Sequence, residues 1–136
     1  MKKFAVWGKF DGLHEGHITF LRHAKELGDE LYIIIISDNA VKENTGKFPE
    51  KKAGERERDL AKLDFIKDVY LSASFKKGLD FILKLKPDIF AFGHDQKTKW
   101  EKELQDYLSS KGLFPQYIYL KAYNNGLHNR DLKWTI

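Results

Sequence analysis

The 136-residue chain contains no cysteine, which excludes a thiol nucleophile and any cysteine-ligated zinc or iron–sulfur centre. Long hydrophobic runs are also missing. The longest, residues 31–36, is far too short to span a bilayer, and Met1-Lys2-Lys3 leads straight into a strand-like segment rather than a signal-peptide core. The expectation is a soluble, cytoplasmic protein. With three prolines and no stretch rich in glycine, serine or proline, nothing marks a linker, so residues 1–136 read as a single domain. The dinucleotide fingerprint Gly-x-Gly-x-x-Gly does not follow the first strand, and no Walker lysine occurs. What the chain has in quantity is aromatic bulk. Ten Phe, six Tyr and three Trp can fill a core without disulfides or a structural metal. The net charge of +4 favours anionic partners. A solvated surface with a slight lysine excess explains that total equally well.

Short β-type runs at 3–7, 31–37, 68–71, 88–92 and 116–121 alternate with helix-period segments at 17–27, 55–63, 78–85 and 100–111. That alternation predicts an α/β fold of the Rossmann-like type, with five parallel strands and helices on both faces. A last helical turn is expected near 131–136. Residues 39–54, rich in Lys, Asn, Gly and Glu and without apolar period, read as a mobile surface loop.

Ligands of open α/β sheets bind beyond the carboxyl ends of the strands. The richest segment there follows the first strand: Gly8-Lys9-Phe10-Asp11-Gly12-Leu13-His14-Glu15-Gly16-His17. Gly8 and Gly12 permit turns and close approach, while Gly16 and His17 open a helix whose free amides and dipole attract phosphate. His14 and His17, three apart, can face one phosphate and stabilise charge developing in a transition state. Each histidine taken alone could instead cap the helix or make a buried hydrogen bond. A metal pair would need a third ligand at useful spacing, and none is evident, so no residue is assigned to a metal. Asp11 could reach a cation indirectly, or bond nearby backbone amides as aspartates in tight turns do.

The 8–17 segment resembles the G-x-F-D-x-x-H-x-G-H signature of the HxGH nucleotidylyltransferase superfamily, in its cytidylyltransferase-like branch. Residues 85–96, Leu-Lys-Pro-Asp-Ile-Phe-Ala-Phe-Gly-His-Asp-Gln, are similar to a stretch of the archaeal FAD synthases (FMN adenylyltransferases). The resemblance implies attack of an acceptor phosphate on the α-phosphorus of a nucleoside triphosphate, with pyrophosphate leaving. In the archaeal subgroup the donor is ATP, the acceptor FMN and the product FAD. It further implies that Lys9, Phe10, His14, Glu15, Gly16 and His17 hold the triphosphate, with His14 and His17 the transition-state histidines. Asp95 and Tyr123 match positions that contact the nucleotide. Lys47 and Arg56 match basic phosphate-binding positions. The Ser/Thr-rich turn of many relatives is replaced by residues 126–131, where Asn129 and Arg130 could supply donors to phosphate.

The resulting expectation is AMP transfer from ATP to FMN by direct in-line attack, with Mg²⁺ arriving on the triphosphate. A cytidylyltransferase using CTP and glycerol 3-phosphate or a similar phosphorylated alcohol, or a nucleotide-binding regulatory protein with little activity, are the alternatives. No nucleic-acid or membrane partner is expected. A chain of this length leaves little for a separate acceptor domain, so the acceptor is expected at the same sheet edge or at a subunit interface, a homodimer being one form of it.

Overall fold

The computed structural model describes residues 2–8, 10–13, 15–92, 99–120 and 134–135. All five apolar runs become strands: β1 (Lys3–Gly8), β2 (Glu30–Ile36), β3 (Asp68–Ser72), β4 (Ile89–Phe92) and β5 (Gln116–Leu120). Their pairings are all parallel, in the order β3-β2-β1-β4-β5. The alternation within each strand divides the core into two layers. Phe4 and Val6 of β1 point to one side with Leu31, Ile33 and Ile35, under Phe20, Leu21 and Ala24 of α1 (Glu15–Leu27) and Leu60 of α3 (Ala53–Ala61). Ala5 and Trp7 point to the other with Ile34 and Phe90, under Leu79 and Ile82 of α4 (Phe75–Leu85) and Leu104 and Leu108 of α5 (Lys99–Ser110). Helices therefore cover both faces, as the alternation predicts.

Two expectations are corrected. A short strand β6 (Trp134–Thr135) stands where a helical turn was expected; it pairs antiparallel with β5, Tyr119 opposite Thr135 and Leu120 opposite Trp134. The ladder with β5 supplies backbone partners from a remote segment, which local helical tendency in so short a stretch does not outweigh. Nor is 39–54 one loop. It contains α2 (Asp38–Thr45) and the start of α3. With Val41 its one buried apolar residue, α2 shows no apolar stripe and is specified by its ends. Ser37 accepts a hydrogen bond from the Ala40 amide at 3.2 Å, and Gly46 closes the helix in the left-handed conformation at φ 84°.

Strand order reverses at β1, with β2 on one side and β4 on the other. Trp7 lies opposite Phe92 in the ladder, so the chain leaves β1 and β4 side by side. This is the topological switch point at which open α/β sheets take ligands. Trp7 is also the largest side chain under α4, and the helix can approach it because Gly78 has no Cβ. A methyl group there would lie 2.4 Å from Trp7 Cη2 and 2.7 Å from Cζ2. Gly78→Ala should lower stability by about 1–3 kcal/mol through overpacking, despite the better helix propensity of alanine. Thermal unfolding of the variant, read by tryptophan fluorescence, checks this; an unchanged or raised Tm would contradict it.

Candidate active site

The glycine-rich segment makes its turn at the switch point by two left-handed residues, Phe10 at φ 51° and Gly12 at φ 88°. For glycine this costs little, but for phenylalanine it costs about 1–2 kcal/mol. Burial offsets it: the Phe10 ring is 8% exposed and packs in the core layer beneath α1. Gly8 makes room for that ring, since a Cβ at residue 8 would stand 2.9 Å from Phe10 Cε2. The edge of Phe10 meets His17 with ring centroids 5.9 Å apart. His17 stands in the first turn of α1, and its Nδ1 is closed to solvent. The Phe10 ring thus lies in the core with its side against His17.

Helix α1 begins at Glu15, two residues before the expected start. An exposed acidic side chain in the first turn suits the positive end of the helix dipole. Gly16 is the second residue of that turn. Of the remaining expected site residues, Lys9, His14, Asp95, Tyr123, Asn129 and Arg130 lie outside the described residues.

Asp11, at the tip of the turn, reaches across to the segment that follows α2. Its Oδ2 accepts from the Glu50 amide and its Oδ1 from the Lys51 amide, each at 2.8 Å. The carboxylate does bind backbone amides, but those of a remote segment instead of the nearby ones expected of a tight turn. Each carboxylate oxygen is thus engaged by one amide of that segment. Among the described residues no group of three His, Asp or Glu side chains is arranged to hold a metal ion.

Lys51 continues the linkage. Its carbonyl accepts from Arg56 Nε at 3.1 Å and its Nζ donates to Asp59 at 2.8 Å. Arg56 is completely buried, and its Nη2 donates to Asp38 Oδ1 at 2.8 Å. The same Asp38 oxygen accepts from the Ala53 amide at 3.0 Å, capping α3, whose own N-cap residue Lys52 makes no side-chain cap bond. Arg56 was expected at a helix start facing phosphate; in the structure it lies in the first turn of α3 with its guanidinium turned into the protein. Lys47 and Lys52 are exposed, and so is Phe48, whose ring lies 4.6 Å from Lys42 Nζ. Asp38 and Lys51 are central to this linkage, and nothing in their local sequence marks them as holding the scaffold together.

Removing one partner of a buried pair strands the other charge. Asp38 retains 35% side-chain exposure, which lets water soften the loss. Arg56→Ala should therefore cost about 3 kcal/mol, near the lower end for buried pairs, and lower the urea midpoint accordingly. A shift within experimental error would show that the pair contributes nothing to stability.

The hydrogen bond from Lys51, together with its charge, holds the Asp59 carboxyl below its ordinary value of 3.8. In return Asp59 raises the Lys51 ammonium above 10.5. The Asp59 contribution is present above the unfolded carboxyl pKa and is lost as pH falls through the lower folded value. That of Lys51 is present below its unfolded pKa and is lost as pH rises through the higher folded value. Asp59→Asn should consequently lose less Tm than the wild type between about pH 5 and about pH 3. Parallel melting curves over that range test the assignment, and equal acid losses would refute it.

Comparison with known proteins agrees with this architecture. The Cytidylyltransferase-like family profile matches residues 5–126. FAD synthase from Pyrococcus horikoshii is 40% identical over 118 residues, covering 87% of this chain and 79% of that protein. FAD synthase from Pyrococcus abyssi is 41% identical over the same shares. Among solved structures, the lipopolysaccharide core biosynthesis protein from Thermoplasma volcanium superposes with a TM-score of 0.78 at 31% identity, covering 91% of this chain and 99% of that one. Pantoate-beta-alanine ligase from Francisella tularensis shares the fold, with a TM-score of 0.57 and 16% identity over 96% of this chain and 64% of its own. The signature between β1 and α1, the strand order and these likenesses agree, and the chain belongs to the cytidylyltransferase-like family.

Proposed function

We propose that the protein is an FMN adenylyltransferase, an FAD synthase. The observation that carries the reading is the likeness to FAD synthases over most of the chain, with the 8–17 signature leaving β1 at the switch point and running into α1. Small-molecule substrates suit the site, and among the described residues no helix is long and apolar enough to cross a membrane.

In this reading ATP enters with its triphosphate over the glycine turn and the first turn of α1, whose free amides and dipole attract anions. A phosphate oxygen of FMN attacks the α-phosphorus in line. The bond from that phosphorus to the bridging oxygen breaks, and pyrophosphate departs with the electron pair. No covalent enzyme intermediate is required, since positioning and charge compensation suffice. His14 and His17 donate to the phosphoryl oxygens as charge builds. With Nδ1 of His17 turned inward, Nε2 is the nitrogen assigned to phosphate. Lys47 compensates the leaving pyrophosphate, while Arg56 supports the segment that carries Lys47. Mg²⁺ carried on the triphosphate would supply charge compensation to the phosphates, and no described side chain is assigned to hold it. Asp95 and Tyr123 are assigned to the nucleotide, and Asn129 and Arg130 to phosphate.

Purified protein incubated with Mg²⁺ and each pairing of ATP or CTP with FMN or glycerol 3-phosphate decides the matter. Pyrophosphate and FAD are expected from ATP with FMN. Product from CTP and glycerol 3-phosphate alone would replace this reading by a cytidylyltransferase, and no pyrophosphate from any pairing would leave a nucleotide-binding protein. His17→Ala should lower kcat by about 10²–10³-fold, the scale of losing one transition-state donor, with a much smaller change in the KM for ATP. A raised KM at unchanged kcat would instead give His17 a binding role.

A further inference from the structure

We propose that Asp11 is a positioning residue for this transfer, acting through the backbone of Glu50 and Lys51 to hold Lys47 against the phosphates. The proposal rests on the adenylyltransferase reading. Asp11 sits between two left-handed residues, and the turn they make aims its carboxylate away from β1 and onto the connector between α2 and α3. Two consecutive amides donate to it, one to each oxygen, at 2.8 Å. Charge-assisted bonds of this kind are about twice as strong as neutral ones. The far side of the same connector is also held, through the Lys51 carbonyl on Arg56 and the Lys51 ammonium on Asp59.

The connector is fixed at its other end too. The Gly46 amide closes α2 by donating to the Lys42 carbonyl at 2.7 Å. Between this cap and the clamp lie Lys47, Phe48 and Pro49. Proline fixes its own φ and restrains the residue before it to extended conformations. A lysine on an untethered loop would lose much of its conformational freedom on meeting a phosphate. Here that ordering accompanies folding, so attraction to a departing pyrophosphate is less offset by entropy at the moment of reaction. The carboxylate that organises this cation belongs to the glycine turn itself. One turn of chain therefore sets the place of both the phosphate cradle and the charge that faces it.

Asp11→Asn tests the link, because it keeps the shape but turns an N–H toward one of the two donating amides. With ATP and FMN, kcat should fall about tenfold or more, the scale of losing a charge-assisted hydrogen bond. Asp11→Glu, which keeps the carboxylate, should recover part of the loss. In a double-mutant cycle with Lys47→Ala, the two losses should combine to little more than the larger one, since both act through the same cation. Trypsin under native conditions should cut Asp11→Asn faster than wild type after Lys47, Lys51 or Lys52. Losses that multiply, or a kcat equal to wild type, overturn the positioning role, and so does cleavage at the wild-type rate. Should Asp11→Asn fail to fold, Asp11→Glu in the same cycle decides by the same criteria. If wild-type protein itself releases no pyrophosphate, the adenylyltransferase reading fails and the proposal with it, whereas normal wild-type turnover beside an unaffected Asp11→Asn removes the proposal alone.

Discussion

A guanidinium with no exposed surface has to find its charge and its hydrogen bonds inside the protein, because the cost of an uncompensated buried charge exceeds most other terms in folding. Arg56 meets this demand with the Asp38 carboxylate and the Lys51 carbonyl. Much follows from it. Asp38 opens α2 and also caps α3 through the Ala53 amide, so one carboxylate brings the N-termini of two helices together around one cation. The connector between those helices is thereby drawn beside the carboxyl end of the sheet, within reach of Asp11. A feature that reads locally as a lysine-rich loop is held by side chains from three separate parts of the chain.

Residues of the signature divide their work in a way their spacing does not reveal. Gly8 and Phe10 look like ligand contacts when set beside histidines and a helix start. In the fold, Gly8 accommodates the Phe10 ring, and that ring buries itself while steadying His17. Asp11 likewise turns its carboxylate to protein amides. If this turn holds a triphosphate as proposed, its backbone and imidazoles need support that does not compete for the anion, and an aromatic ring beneath with a carboxylate turned to protein amides provides it.

The inner strands were legible because a strand covered on both faces has to be apolar along its length, as β1, β2 and β4 largely are, while the edge strand β3 stays partly exposed. Helix α1 was legible from its helical period, since Leu21 and Ala24 mark its one buried side. Helix α2 was not, because its one buried apolar side chain, Val41, gives no period and its caps, Ser37 and Gly46, resemble ordinary loop residues until their geometry is known. Strand β6 depends on pairing with β5, which no local pattern encodes. The signature could be read directly. Its contacts to Glu50 and Lys51, 39 and 40 residues away, could not, since nothing in residue type distinguishes an aspartate that binds backbone from one that binds a cation.

The same physics limits what net charge can say about the site. Part of the positive charge is matched within the fold: among the described residues Arg56 pairs with Asp38, Lys51 with Asp59, Lys67 with Glu30 at 3.9 Å and Lys76 with Asp80 at 3.5 Å. The exposed pairs among these are screened and worth little, so a total of +4 describes no directed field. A leaving pyrophosphate responds to the nearest cations at short range, where distance and orientation decide the energy. Charge held by a clamped backbone keeps both, whereas charge on a mobile loop would have to acquire them during the reaction. In the proposed reading the buried arginine, although it meets no solvent, belongs to the electrostatics of the site, because it helps to fix the segment that carries Lys47.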